Sequence, residues 1–320
     1  MNNTNHILRH AQKQKEDDFY TLYTDVENEL KYYKQHFQNK VILCNCGDDT
    51  DSNFWVYFYQ HFQEFSLKKL IAVSYNKTGH GNLYVCEKDK DSLSLISNEL
   101  KGNGDFRSQE CIELLKEADI VITNPPFSLF RNLISRLAEM NKQFILWGNN
   151  NAITYKEIFP LIQRNKLWLG IKVNKTDIFS CPETMKFWDI PLTLNFNTGK
   201  KYCRVPACTV FTNLEVKRYK PRLILTKEYH AENYSCFDNL PDIINVPRVK
   251  DIPKDYKGLM AVPLTVLKYN LEGYDIIDLL NRYTVFDTWK INADVKAKKS
   301  HCTNINGKAT YARIVIRQKF

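Results

Sequence analysis

Apolar positions along this chain recur with two different periods. Uninterrupted apolar or β-branched runs stand at Val41-Ile42-Leu43, Leu70-Ile71-Ala72-Val73, Ile120-Val121-Ile122-Thr123 and Phe144-Ile145-Leu146-Trp147. Runs of this length, rich in β-branched residues, predict strands buried on both faces, as in a parallel sheet. Between them the spacing becomes helical. Val26, Leu30 and Tyr33 predict a helix near residues 23–37, and Phe54, Phe58 and Phe62 one starting at about Ser52. Cys111, Leu114 and Leu115 predict a helix after Ser108, and Leu129, Phe130, Leu133, Ile134 and Leu137 one after a Pro-Pro pair. Such alternation predicts an α/β chain with a doubly wound sheet and helices on both faces.

The pattern is less regular elsewhere. Residues 76–103 are expected to form an excursion: strand-like Leu83 to Cys86, then charged Glu87 to Asp91, closed by the turn residues Gly102-Asn103-Gly104. Ile158, Leu161 and Ile162 predict a helix, and Leu167 to Ile171 the start of a strand. Beyond residue 172 strands are expected at Val205–Phe211, Arg222–Thr226 and Ile314–Ile316, with a long loop over 229–258. The domain reading is a polar tail over 1–17, a catalytic domain over 18–171, and remaining strands with a basic region over 172–320.

Two stretches carry candidate chemistry. Asn124-Pro125-Pro126-Phe127 follows the Ile120–Thr123 run, so a rigid turn stands at the carboxyl end of a buried strand, where ligands collect in open α/β sheets. Asn124 offers an amide acceptor and donor, and the prolines offer carbonyls with no N–H of their own. Phe127 offers a flat face. Acceptors converging beside an aromatic face suit an exocyclic amino group on a ring. The plainer alternative is a strand terminator with a core Phe. The second stretch is Asn45-Cys46-Gly47-Asp48 after the first strand, where Gly47 permits close backbone approach and Asp48 accepts hydrogen bonds or caps the next helix. Asn149-Asn150-Asn151 ends another strand, and either contacts a ligand or satisfies backbone groups.

Composition narrows the class. No apolar run approaches the ~18 residues of a membrane span, and the amino terminus lacks an apolar signal core, so a cytoplasmic protein is expected. Nine cysteines are scattered without a Cys-x-x-Cys pair, which argues against zinc and for free thiols. The net charge of +9 is uneven: +12 over residues 161–320 and −3 before them. A near-neutral half joined to a basic half suits catalysis coupled to polyanion binding, and Lys217-Arg218-Tyr219-Lys220-Pro221-Arg222 suits phosphate contacts. A solvated basic surface is the bland alternative.

Asn124-Pro125-Pro126-Phe127 resembles the catalytic motif of S-adenosylmethionine-dependent amino-methyltransferases. The chain is similar to the EcoRI-type adenine-specific DNA methyltransferases at Asp18-Phe19-Tyr20-Thr21, Val26-Glu27-Asn28-Glu29-Leu30, Cys44-Asn45-Cys46, Gly104-Asp105-Phe106-Arg107-Ser108, Ile153-Thr154-Tyr155-Lys156-Glu157, Trp168-Leu169-Gly170, Asp251-Ile252-Pro253 and Val262-Pro263. The resemblance implies a Rossmann-like methyltransferase sheet with a carboxyl-terminal DNA-recognition region. It implies methyl transfer from S-adenosyl-L-methionine to the N6 amine of a flipped adenine in duplex DNA, with Asn124, Pro125, Pro126 and Phe127 catalytic. Tyr20 and Thr21 would lie over the methionine end of the cofactor, Asp105 and Phe106 would hold its adenine, and Asn45, Cys46, Gly47, Asp48 and Asn124 would complete the cofactor site. An acidic residue that often follows the next strand is replaced here by Ser74-Tyr75-Asn76, which leaves the ribose contact unassigned. A monomer is expected, with no metal and with any cognate endonuclease acting separately. Alternatives are an RNA adenine or protein glutamine methyltransferase, and a non-catalytic DNA-binding protein on the same fold.

Overall fold

The computed structural model describes residues 20–45, 52–89, 92–181, 201–281 and 303–319. The chain divides into two units, Met1–Ala152 with Leu167–Val216, and Ile153–Lys166 with Lys217–Phe320. No helix among the described residues is long and apolar enough to cross a membrane.

The first unit is built on one large mixed sheet. Its strands are β1 (Tyr20–Thr21), β2 (Val41–Asn45), β3 (Lys69–Val73), β4 (Asn82–Asp89), β5 (Ser92–Glu99), β6 (Ile120–Thr123), β7 (Gln143–Asn149), β8 (Trp168–Leu169), β9 (Lys175–Cys181) and β10 (Lys201–Thr212). They lie in the order β1-β9-β10-β7-β6-β2-β3-β4-β5, with β8 also on β10. The four apolar runs form the parallel centre, β7-β6-β2-β3. Helices α1 (Tyr23–Leu30), α2 (Lys34–Phe37), α3 (Asn53–Gln60), α4 (Gln109–Glu117) and α5 (Phe130–Glu139) accompany it. Side chains alternate between faces along a strand. Ile42, Cys44, Ile120, Ile122, Trp147 and Val210 join one core with α1, α2 and α3. Phe211, one residue past Val210, instead meets Phe130 of α5, ring centroids 5.0 Å apart. Helices therefore cover both faces.

Three expectations change here. The single helix over 23–37 is two, because Tyr33 leaves helical backbone geometry (φ −113°, ψ 1°). Its hydroxyl donates to the buried Glu29 carboxylate at 2.8 Å, and that carboxylate also accepts from the N–H groups of Ile171 (2.9 Å) and Lys172 (2.8 Å). Burial pushes the Glu29 pKa up against those hydrogen bonds. The excursion after β3 is a full hairpin, and Glu87 to Asp89 lie inside β4 rather than after it. Its outer strand β5 is an almost wholly exposed edge held by backbone pairing, and the alternation of Leu93 and Leu95 with serines is its sequence mark. The strand expected at Leu167–Ile171 is only Trp168–Leu169.

The second unit holds β11 (Cys236–Phe237), β12 (Leu240–Asn245), β13 (Leu259–Pro263), β14 (Tyr274–Leu280) and β17 (Arg313–Gln318), in the order β11-β12-β13-β17-β14. Its core comprises Phe237, Leu240, Ile243, Ala261, Leu280 and Val315. A small hairpin, β15 (Asn304–Ile305) with β16 (Lys308–Ala309), turns at Asn306-Gly307, both at positive φ, and the Asp238 carboxylate accepts both turn N–H groups. Helix α6 (Phe159–Gln163) belongs to this unit, where the Gln163 amide donates to the Ile277 carbonyl. The long loop expected over 229–258 contains β11 and β12. Arg222–Thr226 is not a sheet strand: the chain there pairs only through isolated bridges, Arg222 with Asn270 and, just past it, Lys227 with Pro253. The basic run Lys296–Lys299 and the tail over 1–17 lie outside the described residues.

Candidate active site at the carboxyl rim of the sheet

Strand order decides where a ligand can enter. From β2 the chain passes through α3 to β3 on one side, then returns through α4 to β6 on the other. Winding reverses at β2, and the crevice at such a switch point opens beyond the carboxyl ends of the strands. The turns after β2 and β6 flank it. Asn45 ends β2, while Cys46, Gly47 and Asp48 lie outside the described residues.

The turn after β6 is Asn124-Pro125-Pro126-Phe127. Asn124 is half-buried, while Pro125 and Phe127 are buried. The Pro126 carbonyl accepts the N–H groups of Leu129 (2.9 Å) and Phe130 (3.1 Å) and so starts α5. Of the two proline carbonyls expected to face a substrate, this one is engaged by the helix. The Asn124 amide and the Pro125 carbonyl are the remaining candidates. Helix α5 sits hard against β7: a Cβ on Gly148 would come within 2.5 Å of the Phe130 ring. Glycine there lets the helix, and the turn that precedes it, approach the sheet.

Other predicted residues gather at the same rim. β1 pairs with β9, and β9 with the first half of β10. The last β7 pairing is Asn149 with Cys208, so this three-stranded part overhangs the carboxyl end of β7. Asn53, in the first turn of α3, donates to the Thr21 carbonyl at 2.8 Å and joins β1 to the crevice. Asp105 and Phe106 lie beside the end of β3. Gly104, at φ +81°, packs against the Ser74 carbonyl, and Asn76 N–H bonds Asn103 O at 2.9 Å. Phe106 is buried. The Asp105 carboxylate accepts the Arg107 N–H (2.8 Å) and its guanidinium (2.5 and 2.9 Å), and this partner holds its pKa below the usual carboxylate range. Ser74, in the place of the missing acid, accepts the Asn82 N–H at 3.0 Å, while Tyr75 is exposed.

Three buried polar atoms near this rim have no hydrogen-bond partner: Thr21 Oγ1, Trp147 Nε1 and Asn149 Nδ2. Thr21 belongs to β1; Trp147 and Asn149 project from the same side of β7, and Trp147 meets Phe54 of α3 at 4.9 Å. Asn149 keeps its oxygen on the Asn151 N–H (2.9 Å), and Asn150 accepts from Thr209 (3.2 Å), so the amide-rich loop does satisfy local groups. Sequence reasoning gave Asn53, Arg107 and Trp147 no place at this rim, although Arg107 stands in the family-like stretch Gly104–Ser108 and Trp147 in a run read as buried strand.

The family model for the adenine-specific methyltransferase EcoRI matches residues 7–319. The chain belongs to that family. Type II methyltransferase M.MgeORF184P of Mycoplasma genitalium is 42% identical over 98% of this chain and 99% of its own. Type II methyltransferase M.MpnI of Mycoplasma pneumoniae is 41% identical, covering 98% of each. Type II methyltransferase M.EcoRI of Escherichia coli is 41% identical over 99% of this chain and 98% of its own. No solved structure matches the chain at a significant level. As a member of the EcoRI family this protein is an adenine-specific methyltransferase.

Proposed function

We propose that this protein transfers the methyl group of S-adenosyl-L-methionine to the N6 amine of an adenine flipped out of duplex DNA. The observation that carries the reading is the Asn124–Phe127 turn at the switch point, beyond a strand buried on both faces. A Rossmann-like methyltransferase sheet over 18–171, with the basic residues of 172–320 on DNA, accounts for the arrangement. Relatives named Type II methyltransferases support a modification enzyme in the cytoplasm, with any endonuclease separate. We expect it to act as a monomer and without metal.

The residues present fit the cofactor. Thr21 Oγ1 is a buried hydroxyl without a partner, and buried polar groups are normally satisfied, so a ligand carboxylate or amine fits beside it. Tyr20 and Thr21 would hold the methionine end, Asn45 to Asp48 the centre, and Asp105 with Phe106 the adenine. When bound, the cofactor supplies an electrophilic methyl group on sulfur. The chain's own residues do the rest. Asn124 and the Pro125 carbonyl accept both hydrogens of the target amine and turn its lone pair toward that methyl group. Phe127 receives the flipped ring by stacking, typically worth ~1–3 kcal/mol, against a flipping cost of a few kcal/mol. No strong base is required, because the amine proton can leave after transfer. Catalysis is alignment and electrostatics.

Sequencing of modified bases in DNA from cells expressing the protein tests this. N6-methyladenine at one recurrent site is expected, and none with Asn124→Ala. Methylation of RNA or protein in preference to duplex DNA would overturn it.

A further inference from the structure

The segment Lys217–Lys227 of the second unit holds five Lys and Arg and no Asp or Glu. It begins with a 3-10 turn, Lys217–Tyr219, and continues as a non-helical stretch from Pro221 to Lys227 that is pinned at both ends. Asn270 N–H donates to the Pro221 carbonyl and Lys254 N–H to the Lys227 carbonyl, each at 2.9 Å. Two of its cations face inward: Lys220 is buried with Nζ on the Leu267 carbonyl (2.8 Å), and Lys217 bonds Asn165 (2.7 Å). Leu223 and Leu225 are half-buried, so by strand alternation Arg222, Ile224 and Thr226 face outward. Ile224 is 80% exposed. Arg218, Arg222 and Lys227 are exposed, and among the described residues none of them has a carboxylate partner. Some exposed cations of the unit do, Arg248 with Asp251 at 2.6 Å, Lys254 with Glu228 at 3.0 Å and Lys319 with Asp275 at 3.8 Å, while Lys250, Lys268 and Arg317 stand without one among the described residues but are not grouped on one segment.

What sets this segment apart is concentration: three cations without a carboxylate partner, one of them stacked on Tyr219 (4.7 Å), and an exposed apolar side chain stand together on a run with no acid of its own, its backbone tied down at Pro221 and Lys227. We propose that Lys217–Lys227 is a strap that lies along the backbone of duplex DNA. Arg218, Arg222 and Lys227 contact phosphates, and Ile224 at its centre packs against the groove. A polyanion is the partner because each of the three cations lacks an anion, and a duplex because a pinned, non-helical segment matches a stiff partner. The inference rests on the reading of DNA as substrate.

The test uses the full chain and a short fluorescein-labelled mixed-sequence duplex, with anisotropy read over a salt series. Arg218→Gln, Arg222→Gln and Lys227→Gln together are expected to weaken binding at least tenfold at low salt, and to reduce the slope of log K against log salt by about three. Removing equal charge at Lys31, Lys88 and Lys101 of the first unit is expected to change the slope by less than one. Ile224→Asp alone is expected to weaken binding tenfold. Cofactor affinity, by calorimetry, is expected to match the wild type in every variant, which separates lost contact from lost fold. If the wild type binds and methylates DNA while the triple variant keeps its affinity and slope, the strap is wrong and the substrate reading stands. If Ile224→Asp binds normally, or the triple variant loses only RNA affinity, the strap is also wrong. If the wild type neither binds nor methylates duplex DNA, the substrate reading fails first.

Discussion

Asn124 and Phe127 differ in what their side chains can lose. Asn124 is half-buried at the rim, so Asn124→Ala removes an acceptor and little packing. We expect transfer to be abolished with cofactor affinity nearly intact, checked by methylation assay and calorimetry; normal turnover would end the assignment. Phe127 is only 7% exposed. Phe127→Ala should reduce transfer less than Asn124→Ala, but it also empties core volume, which typically costs about 3–5 kcal/mol, so a lowered Tm should accompany it. Thr21 offers the reverse case. Its buried hydroxyl lacks a partner, a state that costs about 1–3 kcal/mol. Thr21→Val should leave the Tm of the ligand-free protein unchanged or raised while weakening S-adenosylmethionine binding. A lower Tm with unchanged affinity would assign the hydroxyl to structure.

Two elements carry the site's geometry, and each can be disturbed without touching a reacting group. Gly148→Ala places a methyl 2.5 Å from the Phe130 ring. Overpacking of this kind costs about 1–3 kcal/mol and lifts the start of α5, so the preceding turn moves with it. Methyl transfer should fall well beyond the loss in stability, read as kcat against denaturant midpoint. At the other end of the crevice, Arg107 keeps the Asp105 pKa low. A carboxylate whose folded pKa lies below its unfolded one stabilises the fold above the usual carboxylate range, and that contribution is lost as pH falls through the lowered value. Arg107→Met returns Asp105 toward its ordinary range, so the acid limb of cofactor binding should move to higher pH. Calorimetry across the acidic range checks the direction. Legibility followed the same division. The parallel centre was readable because buried strands must be apolar, and the turn at Asn124 because prolines mark a strand's end. The edge strands β5 and β11 were less so, since edge strands hold together through backbone groups that any side chain allows, and β12 lay within a run rich in Tyr, Asn, Asp and Pro that reads as loop. Glu29 was visible only as part of a family-like stretch. Its role depends on a backbone more than a hundred residues away, where Gly170 leaves room for the carboxylate: a Cβ there would lie 2.2 Å from Glu29 Oε1.

Charge is a property of the whole chain, and its division predicts how the two substrates respond to salt. Residues 1–160 hold 18 Lys and Arg against 21 Asp and Glu; residues 161–320 hold 27 against 15. Every residue assigned to the cofactor lies in the near-neutral half. S-adenosylmethionine is small and its contacts are short-ranged, so screening by added salt should leave its affinity within twofold. DNA differs, because each neutralised phosphate releases bound counterions and steepens the fall of log K against log salt by about 0.9. With even three phosphates engaged, a fourfold rise in salt lowers affinity by more than tenfold on that scaling. The expected outcome is a KM for DNA that climbs steeply between low and physiological salt while the Kd for cofactor stays level. Parallel loss of both would mean that salt acts on the fold, and the basic half would then need another explanation than a polyanionic partner.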